Sequence, residues 1–313
     1  MPTPLRRLLR ITPQQLRAFE TTARLLSVTR AAEAMHLSQP TVSVQLKELA
    51  GAIGEPLFEY SGRKLRLTQT GETLQHTVAE LIDCWQRFEA NLNEQRGLVR
   101  GHLRIAAVTT AEYFVPDLIG PFAAAHPGVE FELSIENRDR VVQRLQQRSD
   151  DLVVMMLPPQ DLPLRSLPFL DNPLIVVAGN SHPLARKKLK LGDLAEERWL
   201  MREAGSGTRR VTEQHFAEAG FKPKIAMSLG SNEAIKHSVA AGLGIAVISR
   251  LAVSQSGQSD LAAAGLTELK VRGFPIERRW SLVWRSDHPL SATARRFVSY
   301  LQETPQSRAP ADG

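Results

Sequence analysis

The pattern of apolar and polar positions divides the chain into three stretches with different rhythms. Up to residue 67 the apolar residues recur at helical spacing in short runs. Leu16, Phe19, Ala23 and Leu26 line one helix, with Thr12 as cap, Pro13 at its first position and Gln15 placed for a capping box. Ala31, Ala32 and Met35 make a narrow stripe on a second helix that Ser27 can cap. His36-Leu37 forms a corner, with Leu37 plugging the gap between helices. Ser38 caps a third helix, Pro40 suits its first turn, and Val42, Leu46 and Leu49 form its buried stripe. Gly54-Glu55-Pro56 ends it. Short apolar runs at 57–60 and 65–67 flank Ser61-Gly62 and predict a hairpin.

The second stretch is one long helical pattern from Thr68 to about Arg96. Leu74, Val78, Leu81, Trp85, Phe88 and Leu92 alternate spacings of four and three, which is the seam of a paired helix. The simplest partner is the same helix of a second chain, and the alternative is the chain's own C-terminal domain. Gly97 and Gly101 mark a hinge.

The third stretch alternates short apolar strands with helices, the rhythm of an α/β domain. Strands are predicted at 101–108, 129–135 and 152–156, with helices at 113–125 and 140–148. Pro158-Pro159 and Pro163 interrupt the series. A second series follows, with strands at 174–178, 199–201, 225–229 and 245–249 and helices at 209–219 and 232–241. A strand at 280–284 and a helix at 293–301 close it. The tail from 304 to 313 is small, polar and Pro-containing and reads as disordered.

Composition adds an asymmetry. The 313 residues carry a net charge of +6. Residues 1–67 hold ten Lys+Arg against five Asp+Glu, which leaves 29 basic and 28 acidic residues for the rest. A basic end joined to a nearly neutral domain points to nucleic acid as a partner of that end. Cys84 is the single cysteine, so neither a disulfide framework nor a cysteine metal cluster forms within one chain. The N-terminal residues have no continuous apolar run of signal-peptide length and no stretch approaches a membrane span, so the chain reads as soluble and cytoplasmic.

Charge and patterning meet on the third helix. Gln39, Pro40, Thr41, Ser43, Val44, Gln45 and Lys47 lie off its buried stripe and are short, polar or singly basic. A helix entering a major groove needs small side chains at its N-terminal end, hydrogen-bonding groups for base edges and apolar contacts for thymine methyls. Gln39 and Ser43 fit the polar role, Pro40 and Val44 the methyl role, and Lys47 can reach a phosphate. The hairpin tip, with Arg63 and Lys64, would be a wing contacting backbone phosphate. The alternative is an amphipathic helix pair with a solvated face and an ordinary charged turn.

In open α/β sheets ligands lie beyond the carboxyl ends of strands. Three such places open helices here: Thr109-Thr110, Gly205-Ser206-Gly207-Thr208-Arg209 and Gly230-Ser231-Asn232. Each offers hydroxyls and free N–H groups at a positive helix end, which suits a carboxylate or phosphate, and Arg209 and Arg210 would add bidentate pairing. No P-loop, HExxH or GxSxG pattern is present, and no cysteine nucleophile lies near a base. Catalysis and a metal site are therefore not expected. An enzyme with a DNA-binding appendage, acting on a small anionic metabolite, remains the competing reading.

Residues 30–71, RAAEAMHLSQPTVSVQLKELAGAIGEPLFEYSGRKLRLTQTG, resemble the LysR-type transcriptional regulators, and the resemblance extends from about Thr12 to Leu301. It implies a winged helix-turn-helix over 1–67, a dimerising linker helix over 68–100, and an effector domain over 101–303 like a periplasmic binding protein. Within that domain the resemblance implies a first subdomain of 101–162 with 269–303 and a second of 163–268. It further implies no cofactor, a small-molecule effector, promoter DNA and RNA polymerase as partners, and homodimers assembling into homotetramers that bend DNA. TTAEYFVP at 109–116, SQPTVSVQLKEL and REAGSGTR at 202–209 look most similar to the Calvin-cycle regulator branch. That branch controls carbon-fixation operons and answers phosphorylated metabolites, carboxylates or nicotinamide nucleotides. By the same carry-over the effector cleft would involve Thr109, Thr110, Glu203, Thr208, Arg209 and Ser231. The family often has a basic residue after the recognition-helix serine; Val44 stands there instead.

Overall fold

A computed structural model describes residues 9–62, 64–255, 258–259 and 261–304. The chain divides into two compact units, Met1–Phe88 and Glu89–Gly313. Arg63 and residues 305–313, which the tail expectation covers, lie outside the described residues.

The first unit contains α1 (Pro13–Leu25), α2 (Val28–Met35), α3 (Gln39–Ile53) and the antiparallel pair β1 (Phe58–Ser61) and β2 (Lys64–Leu67). Its helix starts follow local side-chain chemistry. Thr12 accepts from Gln15 N while Gln15 Oε1 accepts from Thr12 N, at 3.2 and 2.9 Å, completing the capping box. Ser27 caps α2 through Arg30 N and Ser38 caps α3 through Thr41 N, both at 3.3 Å. His36 turns the corner with φ 55° and ψ 40°, and Leu37 packs on the buried Ala18, Ala32 and Val42. Phe19, Ala23, Leu49, Leu57 and Val78 form the other small core. Burying Phe19 contributes roughly 1.5–3 kcal/mol.

Helix α4 (Gln69–Gln95) continues the chain from the first unit into the second. Thr68 opens it: its hydroxyl donates to Pro56 O at 2.7 Å and accepts from Gly71 N at 3.0 Å. Of the expected seam, Val78 is buried and Leu74 and Leu92 are half-buried. Leu81, Trp85 and Phe88 are 44%, 70% and 54% exposed in the single chain.

The second unit is built on two five-stranded sheets. In chain order its first elements are β3 (Arg100–Val108), α5 (Val115–Ala125), β4 (Gly128–Glu136), α6 (Arg138–Gln146), β5 (Leu152–Met155) and β6 (Leu164–Asp171). Then come β7 (Leu174–Gly179), β8 (Lys188–Leu189), β9 (Arg198–Arg202), α7 (Gly207–Glu218), β10 (Lys224–Leu229), α8 (Asn232–Ala240) and β11 (Ile245–Ser249). The short strands β12 (Ser254–Gln255), β13 (Gln258–Ser259), β14 (Leu266–Glu268) and β15 (Lys270–Val271) precede β16 (Arg279–Arg285) and α9 (Ala292–Glu303). One sheet has the order β4-β3-β5-β16-β6 and the other β10-β9-β11-β7-β14. In each, four strands point the same way and one, β16 in the first and β7 in the second, runs against its neighbours.

The sheet order moves the subdomain crossings from where 101–162 with 269–303, and 163–268, put them. Strand β6 pairs with β16, so 164–171 belong to the first lobe, and the chain crosses between Asp171 and Leu174. It returns after β15, ahead of Arg279. The first lobe packs Leu103, Ile105, Phe122, Trp280 and Phe297 around its sheet. The second sheet is covered on both faces, by a cluster with Trp199 and Phe216 and by another with Ile235 and Val239.

Candidate nucleic-acid interface and anion cleft

On α3, the residues of the sequence-predicted reading face stay outside the core. Gln39, Pro40, Val44 and Lys47 are exposed, and Thr41, Ser43 and Gln45 are half-buried. Gln39 Nε2 donates to Ser43 Oγ at 3.0 Å, so these two polar groups sit one turn apart on one face. The Thr41 hydroxyl is paired at 2.7 Å with its cap Ser38. Glu48, the helix's acidic residue, accepts from Gln15 Nε2 of α1 at 3.0 Å. The exposed groups of α3 thus combine hydrogen-bonding side chains, apolar contacts and one ammonium, the mixture that base edges and phosphates require. Lys64 and Arg66 are exposed on the hairpin, while Arg63 is outside the described residues.

In the second unit a cleft forms where parallel strands end. Val108 ends β3 and Thr109 and Thr110 follow it, Asn137 and Arg138 follow β4, and Met156 follows β5. Facing them are Arg202 and Glu203 at the end of β9, with Ser206, Gly207 and Thr208 opening α7. Ser206 caps that helix by accepting from Arg209 N. The space between these residues is about 10 Å³. An adjoining cavity of about 280 Å³ is lined by Arg138, Asp139, Ser206, Arg209, Arg210 and Glu213, with Ala204 and Gly205.

Four of the six sequence-predicted effector residues, Thr109, Thr110, Glu203 and Thr208, come together in this cleft. Arg209 lines the neighbouring cavity, but its guanidinium braces the lobe: Nε donates to Glu213 at 2.7 Å and Nη1 to Arg202 O at 3.0 Å and Ser228 Oγ at 3.2 Å. Ser231 lines neither cavity; its hydroxyl caps α8 at Ala234 N. Sequence reasoning missed two guanidinium groups that line the cleft, Arg138 and Arg202. Arg138 and Arg202 are both buried. Arg138 donates through Nε and Nη2 to Leu157 O at 3.2 and 2.9 Å, and its paired carboxylate, Asp139, is 3.7 Å away. Burial, and next the positive charge of Arg210, lower its affinity for a proton. Arg202 holds the Glu203 carboxylate with two N–H groups at 2.8 and 3.1 Å. A neighbouring cluster joins the lobes beside the cleft: Tyr113 donates to Glu233 at 2.6 Å, and Lys236 pairs with the same carboxylate at 2.6 Å.

Two family models cover most of the chain. Residues 13–72 match the bacterial regulatory helix-turn-helix protein of the lysR family, and residues 96–306 match the LysR substrate binding domain. The chain belongs to the LysR family. It is therefore a DNA-binding transcriptional regulator and not an enzyme. It is 40% identical over 291 residues to the HTH-type transcriptional activator CmpR of Synechocystis sp., covering 93% of this chain and 94% of that protein. To the RuBisCO operon transcriptional regulator of Acidithiobacillus ferrooxidans it is 40% identical over 291 residues, covering 93% of each. Among solved structures, the regulatory domain of Synechocystis CcmR in complex with 2-PG superposes with a TM-score of 0.60 at 40% identity, covering 64% of this chain and 95% of that one. Among the described residues no helix is long and apolar enough to cross a membrane.

Proposed function

We propose that this LysR-family chain regulates a carbon-fixation operon and that the cleft beyond β3 and β9 takes a small anionic metabolite as its effector. Supporting the operon assignment are the two 40%-identical relatives, one of them a RuBisCO operon regulator. The observation that carries the effector assignment is the pair of buried guanidinium groups, Arg138 and Arg202, beside the α7 helix start. The 2-phosphoglycolate in the similar regulatory domain is an anion of this class.

Roles on the DNA side follow from the same reading. Gln39 and Ser43 contact base edges, Pro40 and Val44 contact methyl groups, Thr41 supports the helix start, and Lys47, Arg63 and Lys64 contact phosphate. The exposed Leu81, Trp85 and Phe88 pair with the same helix of a second chain. Two such dimers form a tetramer in the cytoplasm, and effector binding changes its contacts with DNA and RNA polymerase to activate transcription.

The test is thermal unfolding of the full chain with 2-phosphoglycolate, phosphorylated sugars, carboxylates and nicotinamide nucleotides. An effector at about 100 times its Kd stabilises the fold by about 2.7 kcal/mol. A chain stabilised by none of these anions would contradict the effector assignment. On the DNA side, Gln39→Ala shifts base preference at one position by about 1–3 kcal/mol.

A further inference from the structure

Arg202 already donates from all three of its guanidinium nitrogens to groups of its own chain. Its Nε donates to Glu203 Oε2 at 2.8 Å, its Nη2 to Glu203 Oε1 at 3.1 Å, and its Nη1 to Asn232 Oδ1. Two parallel N–H···O bonds are how a guanidinium takes a carboxylate ligand. The two partners differ in how they are held. The Arg202 side chain is 2% exposed, whereas that of Glu203 is 24% exposed. Glu203 is thus the partner that can swing away.

Space leads to the same conclusion. The opening beside Arg202 and Thr110 is about 10 Å³, no more than one water needs. A metabolite that is to reach the Arg202 guanidinium needs the space and the N–H groups that Glu203 now takes. An anion arriving beside a retained Glu203 would meet a like charge, whereas an anion that replaces it keeps the buried guanidinium neutralised. The adjoining 280 Å³ cavity is open, and there Arg138 and Arg210 face Asp139 and Glu213.

We propose that Glu203 is a built-in occupant of the effector seat: an effector carboxylate displaces it from Arg202, and the effector's second anionic group reaches Arg138 and Arg210. The proposal rests on the anion-cleft reading above and adds two things to it. The effector is a small molecule with two anionic ends, and Glu203 is its competitor rather than one of its contacts.

Calorimetric titration of the full-length chain with 2-phosphoglycolate, inorganic phosphate and glycolate tests this. Glu203→Gln removes the competing charge at nearly constant shape and binds 2-phosphoglycolate at least about tenfold tighter, equivalent to about 1.4 kcal/mol. Glu203→Asp draws the carboxylate back by one methylene and shifts affinity the same way, and it carries the test if the Gln variant does not fold. Arg202→Met loses the 2-phosphoglycolate signal. A wild-type chain that binds 2-phosphoglycolate while Glu203→Gln binds it equally or more weakly overturns the proposal alone. Equal affinity for phosphate and 2-phosphoglycolate overturns the two-ended ligand. A wild-type chain that binds none of the three overturns the anion reading, and this proposal with it.

Discussion

Asn232 Nδ2 donates to the Thr110 hydroxyl at 3.1 Å, tying the start of α8 in one lobe to the turn after β3 in the other. Both residues are buried, and Asn232 Oδ1 also accepts from Arg202 Nη1. Asn232→Ala leaves a buried hydroxyl and a buried guanidinium N–H without this partner. The expected cost is about 1–3 kcal/mol, read as a lower urea midpoint with an unchanged slope. An unchanged midpoint would mean that the contact contributes nothing to the joined state of the lobes.

A second tie between the lobes makes a pH prediction. Burial, then the hydrogen bond and charge of Glu233, hold the Tyr113 phenol well above its ordinary value of about 10. The folded chain therefore keeps this proton longer than the unfolded chain does. Its stabilising contribution is complete below about pH 10 and is lost as pH rises through the folded value. In a phenolate absorbance titration, part of the wild-type signal lags above pH ~10 and is missing in Tyr113→Phe. Curves that coincide after scaling for tyrosine number would refute it.

The join between hairpin and linker helix predicts a steric effect. A Cβ on Gly71 would run into the Leu57 carbonyl oxygen, and that oxygen already accepts from Thr68 N at 3.1 Å. The Leu67 side chain, at 3.0 Å, could give way, but the Leu57 backbone cannot. Gly71→Ala is expected to destabilise the first unit by roughly 1–3 kcal/mol, measured by thermal unfolding and DNA binding. A neutral substitution would show that the linker start shifts freely.

The linker helix predicts self-association. Trp85 and Phe88 meet edge-to-face at 6.0 Å yet remain mostly exposed in one chain. Leu81→Asp combined with Trp85→Ala is expected to move the sedimentation profile from multimer to monomer. A profile like that of the wild type would place the association surface elsewhere.

What was legible in the chain was what local chemistry decides. Ser27, Ser38 and Thr12 announce helix starts because a short hydroxyl side chain reaches N–H groups three residues away. The inner strands β5, β7 and β11 were legible because they are buried on both faces and read as continuous apolar runs. Strand β6 was not, because Pro168 lies inside it and argues against a strand. The position tolerates proline because β6 is an edge strand, and its pairing with β16 shifts register between Trp280 and Ser281. In the cleft, Thr109, Thr110 and Thr208 were found from their place after strands and at helix starts. Arg138 and Arg202 were not singled out because what sets them apart is burial, which tertiary packing creates and a list of side chains does not reveal. Arg209 was expected to hold ligand, yet Glu213 four residues on and the end of β9 claim it.

If α3 enters duplex DNA with its polar face and Lys47, binding weakens as salt rises, and that dependence is the most direct test. A promoter duplex selected from random sequence is titrated with the full chain across a series of salt concentrations. Log affinity is expected to fall linearly with log salt, and Lys47→Ala to reduce the slope by about one while weakening binding across sequences. An affinity that stays constant across the salt series, or a slope that Lys47→Ala leaves unchanged, would contradict the account.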